Sequence, residues 1–86
     1  MSAEAVLAVM TNTSLSDAEF RVLLRMAHWV DDADQVQVSV EEIAEKTGKS
    51  VRGVEGVLRR LWAAQYLVIV EEGGGRGRRN LYRVQP

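Results

Sequence analysis

Apolar positions recur at helical spacing in four stretches of this 86-residue chain and alternate with polar ones in the short stretches between and after them. Residues 3–10, AEAVLAVM, are apolar on most sides and predict a short helix, which Thr11-Asn12-Thr13-Ser14 interrupts with residues that prefer turns and caps. From Asp17 to about Val30, Phe20, Leu23, Leu24, Ala27 and Val30 share one side of a second helix, with Met26 near the edge of that stripe. Its start is marked by Ser16 and Glu19 at capping-box spacing and by Leu15 and Phe20 as a hydrophobic staple. Asp31-Asp32-Ala33-Asp34 breaks it, and Gln35-Val36-Gln37-Val38 alternates over a length suited to a brief strand.

The next two helices carry the clearest punctuation. Ser39 is placed to accept a hydrogen bond from an orphaned backbone N–H, Glu42 to reach back to the cap, and Val38 and Ile43 to close over the start. Gly48 stands after the last turn, where a left-handed residue is wanted and glycine has no Cβ to clash. Ser50 then caps a helix whose apolar seam is Val51, Val54, Val57, Leu58 and Leu61. Two helices joined by so tight a turn predict a helix-turn-helix. After them, Leu67–Glu72 is a β-branched run, Gly73-Gly74-Gly75 supplies turn freedom, and Asn80–Gln85 alternates as a returning strand.

The predicted order is helix, helix, short strand, helix, helix, hairpin, an α+β chain with no internal repeat. A helix and link over 1–14 precede one small domain over 15–86. From Leu15 to Val84 this arrangement resembles the winged helix-turn-helix: a three-helix core with a small antiparallel sheet, here preceded by a short N-terminal helix. The phrase VSVEEIAEKTGKSVRGVEGVLRR, with the arginine-rich hairpin behind it, is similar to the winged-helix domains of phage and plasmid replication proteins. It is similar also to small regulators of the MarR and GntR groups. The resemblance implies binding to double-stranded DNA, commonly as a dimer, with the second motif helix in the major groove. It also implies that the wing lies over the backbone or minor groove.

A net charge of −1 looks wrong for a nucleic-acid binder until it is divided along the chain. Residues 1–48 hold nine acids against Arg21, Arg25 and Lys46, whereas residues 49–86 hold eight bases against Glu55, Glu71 and Glu72. Phosphates respond to the local field within about one Debye length, roughly 8 Å at physiological salt, so the basic end decides. There is no cysteine and one histidine, so neither a disulfide framework nor a structural zinc site is expected. No apolar run reaches membrane-spanning length and the N-terminus has no early base, so neither a membrane span nor a signal peptide is expected, and the expected location is cytoplasmic.

On the second motif helix, Arg52, Glu55, Gly56 and Arg59 point away from the seam, beside Lys49 and Ser50. An arginine there suits guanine, whose O6 and N7 match its two parallel donors, and Lys49 with the helix start suits a phosphate. Gly53 and Gly56 weaken a helix interior, so they serve either close approach to DNA or another chain, or close packing on the preceding helix, Gly53 above all. Arg76, Arg78 and Arg79 sit among small residues as the wing contact to DNA. Arg60 and Arg83 either widen this surface or pair with Glu71 or Glu72. His28 and the loop acids Asp31, Asp32 and Asp34 read as structural, and Trp29, Trp62 and Tyr66 as cover for the core edge. Residues 3–10 either finish the core or pair with a second copy. The second is expected, with Val6, Leu7, Val9 and Met10 at a homodimer interface, because doubling raises affinity and specificity.

No cofactor, metal or small-molecule ligand is implied, and no paired carboxylates or activated nucleophile point to an enzyme. The expected function is sequence-specific DNA binding in transcription regulation or DNA replication. The alternative is a winged helix used for protein–protein contact within a replication or transcription complex.

Overall fold

The computed structural model describes residues 2–74 and 78–86. It is an α+β fold of four helices and a three-stranded antiparallel sheet: α1 (Ala3–Thr11), α2 (Asp17–Trp29), β1 (Gln35–Val38), α3 (Val40–Thr47), α4 (Val51–Ala63), β2 (Leu67–Glu71) and β3 (Asn80–Val84). No helix among the described residues is long and apolar enough to cross a membrane.

The helix starts follow from their caps. Ser16 Oγ accepts from the Glu19 N–H at 3.2 Å while Glu19 Oε1 accepts from the Ser16 N–H at 2.9 Å. Ser39 and Glu42 repeat the exchange at 3.1 and 3.0 Å, so both boxes satisfy donors that the first turn leaves orphaned. Gly48 ends α3 in the left-handed region at φ 71°, and its N–H and that of Lys49 both turn back to the Ala44 carbonyl. Ser50 Oγ then accepts from the Gly53 N–H at 3.0 Å to open α4. At the far end of α4 the Tyr66 N–H reaches the Leu61 carbonyl and the Gln65 N–H reaches that of Trp62, with Gln65 at φ 69°. That is a Schellman ending built on glutamine, where glycine is the usual occupant.

The sheet runs β1-β3-β2, so the returning strand of the hairpin is central and pairs with both neighbours. A bulge between Ile69 and Glu71 shifts the register, and two contacts pin the hairpin where it leaves the sheet. Asn80 Oδ1 accepts from the Gly73 N–H at 2.9 Å, and its Nδ2 donates to the Tyr82 hydroxyl at 3.2 Å. The chains approach so closely here that a Cβ on Gly73 would collide with the Arg79 carbonyl.

One core joins all the elements: Ala5 and Val9 of α1, Val22, Leu23, Met26 and Ala27 of α2, Ile43 and Ala44 of α3, Val54, Val57, Leu58 and Leu61 of α4, and Val36, Leu67, Tyr82 and Val84 of the sheet. Several expectations change here. The buried stripe of α2 is rotated from the predicted one: Val22 and Met26 are fully buried, while Phe20 and Leu24 are only half-buried, because α1 covers part of their side and leaves the rest open. Thr11 belongs to α1, its hydroxyl donating to the Leu7 carbonyl at 3.0 Å. Ala5 and Val9 of α1 join the core that the other elements build. Val51 stays 40% exposed at the edge of the α4 seam, where the preceding turn offers Lys49 and Ser50 instead of apolar partners. Trp62 is 58% exposed and stands outside the residues packed against the core, unlike Trp29 and Tyr66, which pack partly against it. Asp31 serves its own loop, its Oδ1 accepting from the Ala33 and Gln35 N–H groups.

Candidate nucleic-acid interface

The outward face of α4 follows from its inward one. Val54, Val57, Leu58 and Leu61 are buried, and this leaves Arg52, Glu55, Gly56 and Arg59 on the opposite side of the cylinder. Arg52, Glu55 and Arg59 are exposed, with Ser50 beside them, while Gly56 and Lys49 are half-exposed. Arg52 and Arg59 lie seven residues apart, roughly 10 Å along the axis. Trp62, one turn beyond Arg59, extends the same face, and Val51 flanks its start. Hydropathy alone assigns both to the interior, so the sequence gives no sign of their exposure.

The electrostatics of this helix start differ from those of the other three. Glu4 in α1, Asp17 and Glu19 in α2, and Glu41 and Glu42 in α3 place acids in the first turn, where they balance the positive end of the helix dipole. The first turn of α4 has no acid, is preceded by Lys49 and contains Arg52. Its positive end is therefore reinforced.

The arginines divide by use. Arg60 Nε sits 3.3 Å from Glu19 Oε2, tying α4 to α2, so it pairs with neither Glu71 nor Glu72, the acids considered for it if it did not widen the basic surface. Arg21 Nη1 donates to the Thr47 carbonyl at the end of α3, at 3.2 Å. Arg79, expected on DNA, is held bidentately by Glu42, Nε on Oε1 at 2.8 Å and Nη2 on Oε2 at 2.7 Å. Arg79 thereby clamps the base of the hairpin to the capping box of α3 while its side chain stays more than half exposed. Glu42 is in turn held below the usual carboxylate range, first by Arg79 and then by the Ser39 N–H. Glu19 is likewise lowered, chiefly by the Ser16 N–H. Among the described residues Arg52, Arg59 and Arg78 have no such partner. Arg76 lies outside the described residues.

The two glycines of α4 are also separated by the structure. A Cβ on Gly53 would meet only the Ser50 hydroxyl, at 3.1 Å, and no atom of α3 within 4 Å, so packing against the preceding helix does not explain it. A Cβ on Gly56 would find Arg60 Nη1 at 3.7 Å, an ordinary contact. Nothing within the fold requires Gly56.

Of the residues expected at a two-fold interface, Val9 is fully buried in the core of its own chain and cannot reach a second copy. Val6 is half-buried, and Leu7 and Met10 are exposed by 62% and 60%. No protein-family model matches the chain, and no curated protein matches it.

Proposed function

We propose that this chain is a non-catalytic winged-helix protein that binds double-stranded DNA sequence-specifically, as a small transcription regulator or a replication accessory factor. In this reading α4 enters the major groove, with Arg52 and Arg59 at base edges, Ser50, Glu55 and Gly56 beside them, and Lys49 on a phosphate. Arg76 and Arg78 meet the backbone or minor groove, and Arg79 holds the hairpin in place for them.

The observation that carries the reading is the pairing of Arg52 and Arg59 on one exposed helix face, while Arg60 and Arg79 are taken up by ion pairs and Arg21 by a backbone carbonyl. Two cations without carboxylate partners on the face of a helix with a positively reinforced start suit an anionic groove. The spacing of the two arginines, roughly 10 Å, corresponds to about three base pairs.

A homodimer remains part of the proposal through the exposed Leu7 and Met10 of α1, with Val6 beside them, and sedimentation of the free protein and of its DNA complex tests it. Selection of bound duplexes from a random pool tests the proposal. An enriched motif is expected, and Arg52→Ala and Arg59→Ala should each lose about 1–3 kcal/mol on it, with relaxed preference at one base pair. Unchanged affinity in both variants would remove α4 from the interface.

A further inference from the structure

A groove of about 640 Å³ runs along α2, lined by none of the α4 and hairpin residues above. Its apolar part is Phe20 and Leu24 of α2 with Val6 and Met10 of α1. These are the side chains that the core leaves only partly covered, and the exposed Leu7 adjoins them on α1. On α2 the lining extends from Asp17 to His28, twelve residues and about 16 Å from first to last, which is three helical turns.

The charge around it is inverted relative to its surroundings. Residues 1–48 contain nine acids and only three bases, and all three bases, Arg21, Arg25 and Lys46, line this groove. A single acid, Asp17, accompanies them. The two arginines are also held in position. Arg21 bonds the Thr47 carbonyl, and the Arg25 guanidinium lies 6.0 Å from the Trp29 ring centroid. A guanidinium has five N–H donors, so one such contact leaves others for a ligand, and fixed donors lose less entropy on binding.

We propose that this groove docks an acidic, amphipathic helix of a partner protein. The apolar face of that helix rests on Phe20, Leu24, Val6 and Met10, and its carboxylates meet Arg21, Arg25 and Lys46. Length and spacing select this occupant. Arg21 and Arg25 lie one turn apart on α2, matching carboxylates one turn apart on a helix laid alongside. A small anion would use neither the apolar floor nor the three-turn length, and a phosphate backbone gains nothing from Phe20 and Leu24. The proposal does not depend on DNA binding by α4.

The probe is a fluorescently labelled helical peptide of about fifteen residues, with leucines at i, i+3, i+4 and i+7 and glutamates elsewhere, long enough to cover the groove. Saturable binding at physiological salt is expected. Replacing its glutamates by glutamines should weaken binding about tenfold, as should Arg25→Glu or Lys46→Glu in the protein, with unchanged melting temperature. Met10→Asp should do the same from the apolar side. Absence of saturation, equal binding of the glutamine peptide, or indifference to both charge reversals would overturn the proposal. So would a dimer in sedimentation that Met10→Asp converts to monomer, because a second copy would then fill the groove. A loss of duplex DNA binding in Arg25→Glu and Lys46→Glu as large as that in Arg52→Ala would assign the groove to nucleic acid instead.

Discussion

Replacing Gly56 by alanine should raise stability and lower DNA affinity in the same molecule. Glycine inside a helix costs about 0.8–1.0 kcal/mol relative to alanine, because the unfolded chain loses more freedom. The added Cβ would lie 3.7 Å from Arg60 Nη1, the end of a flexible side chain, so nothing in the fold offsets that gain. For a domain of this size 1 kcal/mol moves the melting temperature by about 4–8 °C, so thermal unfolding should shift upward by roughly 3–8 °C. On the proposed interface the same methyl group stands between the α4 backbone and the DNA. An affinity loss of about tenfold, ~1.4 kcal/mol, is expected on the selected duplex. Gly53→Ala is the internal comparison: its Cβ would press on the Ser50 hydroxyl at 3.1 Å, disturbing a cap worth about 1 kcal/mol, so its net gain should be smaller. Calorimetry and fluorescence anisotropy on one preparation give both quantities. A stabilised Gly56→Ala that binds as tightly as the wild type would refute the smooth-face reasoning, and a destabilised one would refute the packing reasoning.

Three further expectations concern the core, the hairpin clamp and the wing. Val9→Ala should cost at least about 1.6 kcal/mol, two buried methylene equivalents, plus a cavity term, whereas Leu7→Ala should change stability by less than about 0.5 kcal/mol; denaturant titration separates them. Glu42 and Glu19 have folded pKa values below the unfolded one, so their contribution is complete above the usual glutamate pKa, about 4.3, and is lost as pH falls through the depressed values. The double variant Glu19→Gln, Glu42→Gln should therefore flatten the acid limb of a stability–pH curve below about pH 4.3 and leave its shape near pH 7 unchanged. Neutralising Arg76 and Arg78 should reduce the slope of log affinity against log salt by about 0.9 for each phosphate no longer neutralised, while Arg79→Ala should in addition release the hairpin from α3, read by amide exchange around Asn80.

Local chemistry explains what was legible before the chain folded. Both capping boxes, the left-handed Gly48 and the Ser50 cap lie within a few residues of the groups they serve. Their outcome depends on neighbours in sequence alone. The outward placement of Arg52, Glu55, Gly56 and Arg59 was readable for the same reason: a 3.6-residue repeat with a strong apolar seam leaves one possible opposite face.

Contacts between distant segments were decided only by the tertiary structure. Glu42 meets Arg79 across 37 residues and Glu19 meets Arg60 across 41, and neither pairing has a local signal, because many carboxylates are within reach of a long arginine in an unfolded chain. Helix α1 illustrates the limit most clearly. A segment apolar on most sides does not reveal which side another helix will cover, and so Val9 entered the core while Leu7 and Met10 remained outside. The same docking of α1 on α2 turned the buried stripe toward Val22 and Met26, and it left Phe20 and Leu24 half-covered beneath the chain's early arginines. Periodicity determined that such a stripe exists. Which neighbours exclude water from it is a property of the packed molecule, since burial is a relation between surfaces that come together only on folding.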